Sequence, residues 1–119
     1  MISIRAKIVD WLIEATEQHC YYLYPPKGAT FPCVVYNEVV NNDHVVVRGN
    51  EYANLAYSFT IYSKDPLDIL AMACAIDELF KSKGFIKDYT SPDMFAEGYY
   101  QKTIRFKAII NHKGEIFNN

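Results

Sequence analysis

Cysteine and histidine are the residue types in this chain that could support nucleophilic or metal chemistry. There are three of each: Cys20, Cys33 and Cys74, with His19, His44 and His112. His19-Cys20 with Cys33 and His112 could be drawn as a metal site. The chain has no Cys-x-x-Cys and no His-x-x-x-His, so the short spacings of a structural zinc site are missing. A Cys–His nucleophilic pair needs a thiol and an imidazole within hydrogen-bond reach in a cleft, and nothing in the sequence brings such a pair together. Cys74 lies within Met72-Ala-Cys-Ala75 and reads as a small core residue.

The other chemical candidates have structural readings. Asp77 and Glu78 are neighbours on a helix and point in different directions, and Asp65 and Asp68 belong to a helix start. The glycines, at 28, 49, 84, 98 and 114, form no phosphate cradle. Lys102-Thr-Ile-Arg-Phe-Lys107, near Tyr99 and Tyr100, is faintly like the basic aromatic strand of an RNA-recognition motif. Phe106 there shares its face with Ile104, Ala108 and Ile110, which marks it as core. The expectation is a non-enzyme with no catalytic residue, no metal and no cofactor.

Composition narrows the class further. At 119 residues the chain is expected to be a single domain, 1–119, with one core. A net charge of -2 leaves no electrostatic footprint for nucleic acid. The odd number of cysteines, and a start in which Arg5, Lys7 and Asp10 interrupt any apolar run, point to a soluble chain in a reducing compartment. No apolar run approaches the roughly 20 residues of a membrane helix, so no membrane partner is expected. Ten tyrosines and seven phenylalanines raise the aromatic fraction to 15%, which suits either strand positions or surfaces buried on association.

The elements that would position these residues follow from periodicity. Ile4, Ile8, Trp11, Leu12 and Ala15 recur at helical spacing, predicting a surface helix from Ser3 to near Gln18. Tyr21 to Tyr24 is a short extended piece stopped by Pro25-Pro26. A strand runs from Phe31 to Val40, Asn41-Asn-Asp43 reads as a turn, and Gly49-Asn50 reads as a tight hairpin turn. The next strand continues to Ser63, with Leu55, Tyr57, Phe59 and Ile61 on one face and Asn54, Ala56, Ser58, Thr60 and Tyr62 on the other. At Asp65 the period changes to helical. Asp65 can cap, Pro66 suits the first helical position, and Gly84 ends the helix. Its middle, Ile69 to Ile76, is apolar around the whole circumference and should be covered on more than one side. Lys87 to Gly98 reads as a long loop, and Tyr99 to Asn111 as the last long strand. Phe59, Ile61, Ile104 and Phe106 are expected to face Ile69, Ala73 and Ile76. The fold class is α+β: a mainly antiparallel sheet of four to five strands with two helices on one face.

Three stretches taken together resemble one family: Phe31-Pro-Cys-Val-Val-Tyr36, Tyr57 to Asp65 with the following helix to Lys83-Gly-Phe85, and Tyr100-Gln-Lys-Thr-Ile-Arg-Phe-Lys107. The family is the tail terminator and related head–tail completion (neck) proteins of long-tailed bacteriophages and prophages. The resemblance covers about residues 31–110. It implies a small α+β subunit that forms a ring, commonly a hexamer, which caps the tail tube and mediates joining to the head. Implied partners are the chain itself, the tail tube protein and head-completion proteins. The implied location is the host cytoplasm during assembly and then the virion, at the head–tail junction. A head-to-tail ring needs two different patches per subunit. For one of them the candidates are Asp43, Arg48, Asn50, Glu51 and Tyr52 on the hairpin, with Ser58, Thr60 and Tyr62 on the polar strand face. Two other readings compete with this one. One is a small non-catalytic ligand- or peptide-binding module with a groove between the sheet and the 87–98 segment, and the other is a small enzyme using Cys20 or Cys33.

Overall fold

Two regular alternations, along 53–61 and 104–110, lay down the centre of the sheet. In the computed structural model, which describes residues 4–47, 50–111, 113 and 115–117 (side chains of 40–52 and 117 excepted), they become β3 (Asn50–Ser63) and β6 (Tyr99–Asn111). These strands pair antiparallel without a slip, from Tyr52 opposite Asn111 to Ser63 opposite Tyr100. Phe59 faces Ile104 and Tyr57 faces Phe106, all buried on the inner side. The other strands are β1 (His19–Tyr22), β2 (Cys33–Val47), β4 (Ile86–Thr90), β5 (Met94–Ala96) and β7 (Ile116–Phe117). Among the described residues the sheet has seven strands, with a five-strand path β1-β2-β3-β6-β4, while β5 and β7 pair with other stretches of β6. Among the same described residues only the β1–β2 pair is parallel.

Both helices, α1 (Arg5–Thr16) and α2 (Pro66–Ser82), pack on the inner face. Their buried residues, Ile8 and Leu12 of α1 with Ile69, Met72, Ala73, Ile76 and Phe80 of α2, join the inner strand residues in one core. Phe80 is its hub. Its ring lies 4.8 Å from Phe59, 5.6 Å from Phe106 and 5.4 Å from Phe85, and Trp11 of α1 meets it edge-on at 6.0 Å.

The ends of α2 follow from local chemistry. Asp65 accepts a hydrogen bond from the Leu67 N–H at 2.9 Å, and the Ser63 hydroxyl donates to Asp68 at 2.9 Å. At the far end Phe85 N–H donates to Phe80 C=O at 3.0 Å, and Gly84 N–H donates to Lys81 C=O at 3.1 Å. These two bonds, with Gly84 at φ 97° and the Phe80–Phe85 contact, form a Schellman stop. The first helix runs from Arg5 to Thr16, with Ser3 outside the described residues.

Several expectations need correction. Asn41-Asn-Asp43 is not a turn, and β2 does not end at Val40 but runs on to Val47. Two register shifts, between Glu38 and Val40 and between Asn42 and Val45, each absorb one extra β2 residue, so the polar run bends the strand instead of reversing it. Residues 87–98 are not a structureless loop, because β4 and β5 lie there and pair with β6. An unpaired β6 edge would leave backbone donors and acceptors unused. Pro92 separates the two strands, and Ser91 bridges the gap. Its N–H donates to Thr103 C=O and its hydroxyl accepts from Thr103 N–H, both at 2.8 Å. Cys74 is exposed, not core, because it falls on the outward stripe of α2 with Leu70 and Leu67. The middle of α2 is consequently covered on its inner side only. The hairpin residues Arg48 and Gly49 lie outside the described residues.

One ion-pair cluster ties β4 to α2. Asp77 meets Lys81 at 3.0 Å and Lys87 at 3.3 Å. Partial burial works to raise the Asp77 carboxyl, but the hydrogen bonds and charges of Lys81 and Lys87 outweigh it and hold the group below the usual carboxylate range. A carboxyl lowered in the folded state contributes stability above its unfolded value of about 3.9 and loses it as pH falls through the folded value. Asp77→Asn is therefore expected to lower stability in urea melts at neutral pH and to have no effect near pH ~2. An equal loss at both values would assign the effect to packing instead.

Candidate functional site

The outer face of the sheet is built by the positions that alternate with the core. Ser58, Thr60 and Tyr62 of β3 lie on it, half-buried, opposite Arg105, Thr103 and Gln101 of β6. The Thr60 and Thr103 hydroxyls are 3.0 Å apart, and the Arg105 guanidinium meets Asp88 at 3.3 Å. The three predicted strand residues therefore do share one surface. Of the predicted hairpin residues, Asn50, Glu51 and Tyr52 sit at the other end of the same strand, Asp43 is on β2, and Arg48 lies outside the described residues. Asn50, Glu51 and Tyr52 open β3 opposite Val47, Val46 and Val45, and Asp43 lies at the second register shift of β2. Pairing with β6 ends at Tyr52, so residues 45–47 and 50–51 continue as a two-stranded arm. From Asn50 to Tyr62 the strand spans about 40 Å at ~3.3 Å per residue. The described ones among the predicted residues thus fall on two separate backbone stretches of a molecule 51 Å long.

At the end away from the arm, a groove forms that the periodicity did not reveal. β1 and β2 are parallel neighbours, so residues 23–32 must travel back along the sheet. Because the helices occupy the inner face, this connection crosses the outer one and buries Cys33 and Val35 beneath it. Beside the connection lies a groove of about 580 Å³, lined by Pro25, Pro26 and Phe31 of the connection and by Tyr62, Tyr99 and Gln101 of the sheet, with Phe31 stacked on Tyr99. Ala96 and Glu97 from the 87–98 segment complete it. The binding-module reading expects a groove between the sheet and the 87–98 segment; this groove touches that segment at Ala96 and Glu97, and the 23–32 connection supplies the part that the sequence does not announce.

Two further features complete the surface. On α2, Leu67 and Leu70 are 71% and 62% exposed and form an outward stripe with Ala71 and Cys74. On the inner face, the Arg5 guanidinium pairs with Glu38 at 3.3 Å and lies 4.5 Å from the centre of the Tyr22 ring. This pins the start of α1 to the sheet beside the Tyr57 hydroxyl. Burial, with Glu38 nearby, pushes that buried phenol up to about 12, against the opposing pull of the Arg5 guanidinium.

Cys20 and Cys33 are poorly placed for nucleophilic work. Burial, with Cys33 nearby, pushes the Cys20 thiol up to about 12, and burial pushes Cys33 up to about 11. At neutral pH the reactive thiolate of either is scarce. A thiol reagent added to dilute folded protein is expected to label Cys74 readily, and Cys20 and Cys33 only on unfolding. Fast labelling of Cys33 in the folded chain would show that the 23–32 connection does not seal it. Among the described residues no group of three or more His, Cys, Asp or Glu side chains could hold a metal ion. Among the same residues no helix is long and apolar enough to cross a membrane.

No protein-family model matches this chain, and no curated protein matches it.

Proposed function

We propose that this chain is a structural subunit of a phage or prophage tail, forming a ring that caps the tail tube and mediates head–tail joining. The observation that carries the reading is apolar surface left outside a complete core. Leu67, Leu70, Ala71 and Cys74 form a continuous exposed stripe on α2, and Ile86, Met94 and Phe95 are exposed on the opposite sheet edge from β1. Contiguous apolar surface of this kind marks a site of association. A closed ring needs two unlike patches per subunit, and the molecule offers them. The α2 stripe lies on the helical layer. The second patch belongs to the sheet, at either the arm or the separate Ser58, Thr60 and Tyr62 face. The three sequence stretches that resemble tail terminator and neck proteins support the same reading.

On this reading the partners are other copies of the chain, the tail tube protein and head-completion proteins, and no catalytic group is assigned. The chain would act in the host cytoplasm during assembly and remain at the head–tail junction of the virion. The test is sedimentation across a wide concentration range, with electron microscopy of the chain alone and added to polymerising tail tube protein from the same genome. Rings, commonly of six subunits, and arrested tube growth are expected. A chain that stays monomeric at millimolar concentration and leaves tube growth unchanged overturns the proposal.

A further inference from the structure

The groove beside the 23–32 connection does not stand alone. A second cavity of about 340 Å³ adjoins it at the start of α2, where Ser63, Lys64, Asp65 and Asp68 come to the surface. The two share Ala29, Phe31 and Tyr99, so together they form one elongated depression. Its middle is aromatic. Phe31 stacks on Tyr99 at 4.3 Å between centroids and meets Tyr62 edge-on at 6.5 Å. Pro25 and Pro26 continue the apolar wall, and all three rings are only half-buried.

The charge of the lining selects the ligand. Asp65, Asp68 and Glu97 bring three carboxylates and Lys64 brings one ammonium group, so the depression is negative. The Lys64 ammonium lies 5.6 Å from the centre of the Tyr99 ring, within cation–π range. A helix start commonly invites an anion, but here Asp65 has taken the Leu67 N–H and Asp68 adds negative charge to the first turn. An anionic ligand is disfavoured on both counts.

Shape narrows the choice to an extended chain. The walls are rings and prolines, with Gln101 as a polar group on the sheet side. Aromatic grooves with a few polar groups suit a polyproline II segment, whose backbone carbonyls are unpaired and whose conformation is already set before binding. We propose that this depression binds an extended, proline-bearing cationic peptide segment of a partner protein. The proposal goes beyond ring formation and does not depend on it.

The probe is a synthetic peptide, Pro-Pro-Arg repeated three times, titrated into the full-length chain at low salt. Binding is followed by calorimetry and by backbone amide shifts. Saturable binding with shifts at Tyr62, Glu97, Tyr99 and Gln101 is expected. A peptide with Glu in place of Arg, and one with Ala in place of Pro, should each bind at least about tenfold more weakly. Glu97→Lys, at an exposed position, should weaken the arginine peptide, while Lys64→Gln should tighten it by removing a competing cation. The proposal is overturned by any of three results: no binding at millimolar peptide, equal binding of the glutamate peptide, or shifts confined to another surface. A Lys64→Gln variant that binds more weakly would also sink it, since Lys64 would then be recognising an anion.

Discussion

Replacing Phe106 by alanine is expected to cost about 3–5 kcal/mol of folding stability, whereas Arg105→Ala should cost less than about 1 kcal/mol. The two residues are neighbours on β6 and differ in the face they occupy. Phe106 is fully buried, opposite Tyr57, with its ring 6.0 Å from Phe59 and 5.6 Å from Phe80. Removing it empties a site walled by large rings, which cannot collapse without moving the Phe80 hub. Arg105 lies opposite Ser58, and its side chain is 43% exposed where it pairs with Asp88. An exposed pair of this kind loses most of its Coulomb energy to solvent and salt. Urea melts of both variants measure the contrast. A slip of β6 by one residue exchanges the two faces, so a larger loss for Arg105→Ala would mean that the register is wrong and that the outer surface is assigned to the wrong residues.

The parts of this fold that were legible in the sequence are those determined by local pattern. β3 and β6 alternate strictly over their inner positions, and α2 carries a cap, a first-position proline and a stop glycine within its own segment. The unreadable parts depend on partners far away in the chain. β1 has four residues, and nothing in them announces a parallel partner at Cys33–Tyr36. The 87–98 segment carries loop residues, yet the free edge of β6 draws two short strands from it. Asn41-Asn-Asp43 has turn chemistry, but pairing on both sides of it holds the chain extended through a bulge.

The candidate surfaces divide in the same way. Ser58, Thr60 and Tyr62 follow from alternation alone and do lie on one outer face. A groove beside the 87–98 segment was expected, but the part of it built by the 23–32 connection was hidden, because that crossing follows from the parallel β1–β2 pair. The α2 stripe was half-read. An all-round apolar helix signals surplus surface, but its sequence alone does not say which side the core takes. Packing against Phe59 and Phe106 fixes Ile76 and Phe80 inward, and the helical repeat then turns Leu67, Leu70 and Cys74 outward.

That division predicts opposite outcomes for two adjacent substitutions on α2. Ile69 is 1% exposed, so Ile69→Asp places a carboxylate in the core with no cation to meet it. The cost should be about 3–5 kcal/mol or more, enough to unfold much of a domain whose total stability is of order 5–15 kcal/mol. Leu70 is 62% exposed, and Leu70→Asp adds its charge near the helix start, where the helix dipole tolerates it. Melting should move by no more than about 0.5 kcal/mol. Self-association should nonetheless suffer, because a carboxylate in the centre of an apolar interface must be desolvated without a partner. A loss of about 2 kcal/mol per contact raises the association midpoint roughly 30-fold. Sedimentation gives that midpoint directly, and labelling of Cys74 gives it independently, since the thiol should be shielded in the assembled wild-type protein and open in Leu70→Asp. If Leu70→Asp associates as the wild type does while Ile69→Asp unfolds, the helix is placed correctly but its outer stripe is not the ring contact. The arm and the outer sheet face would then have to supply both patches.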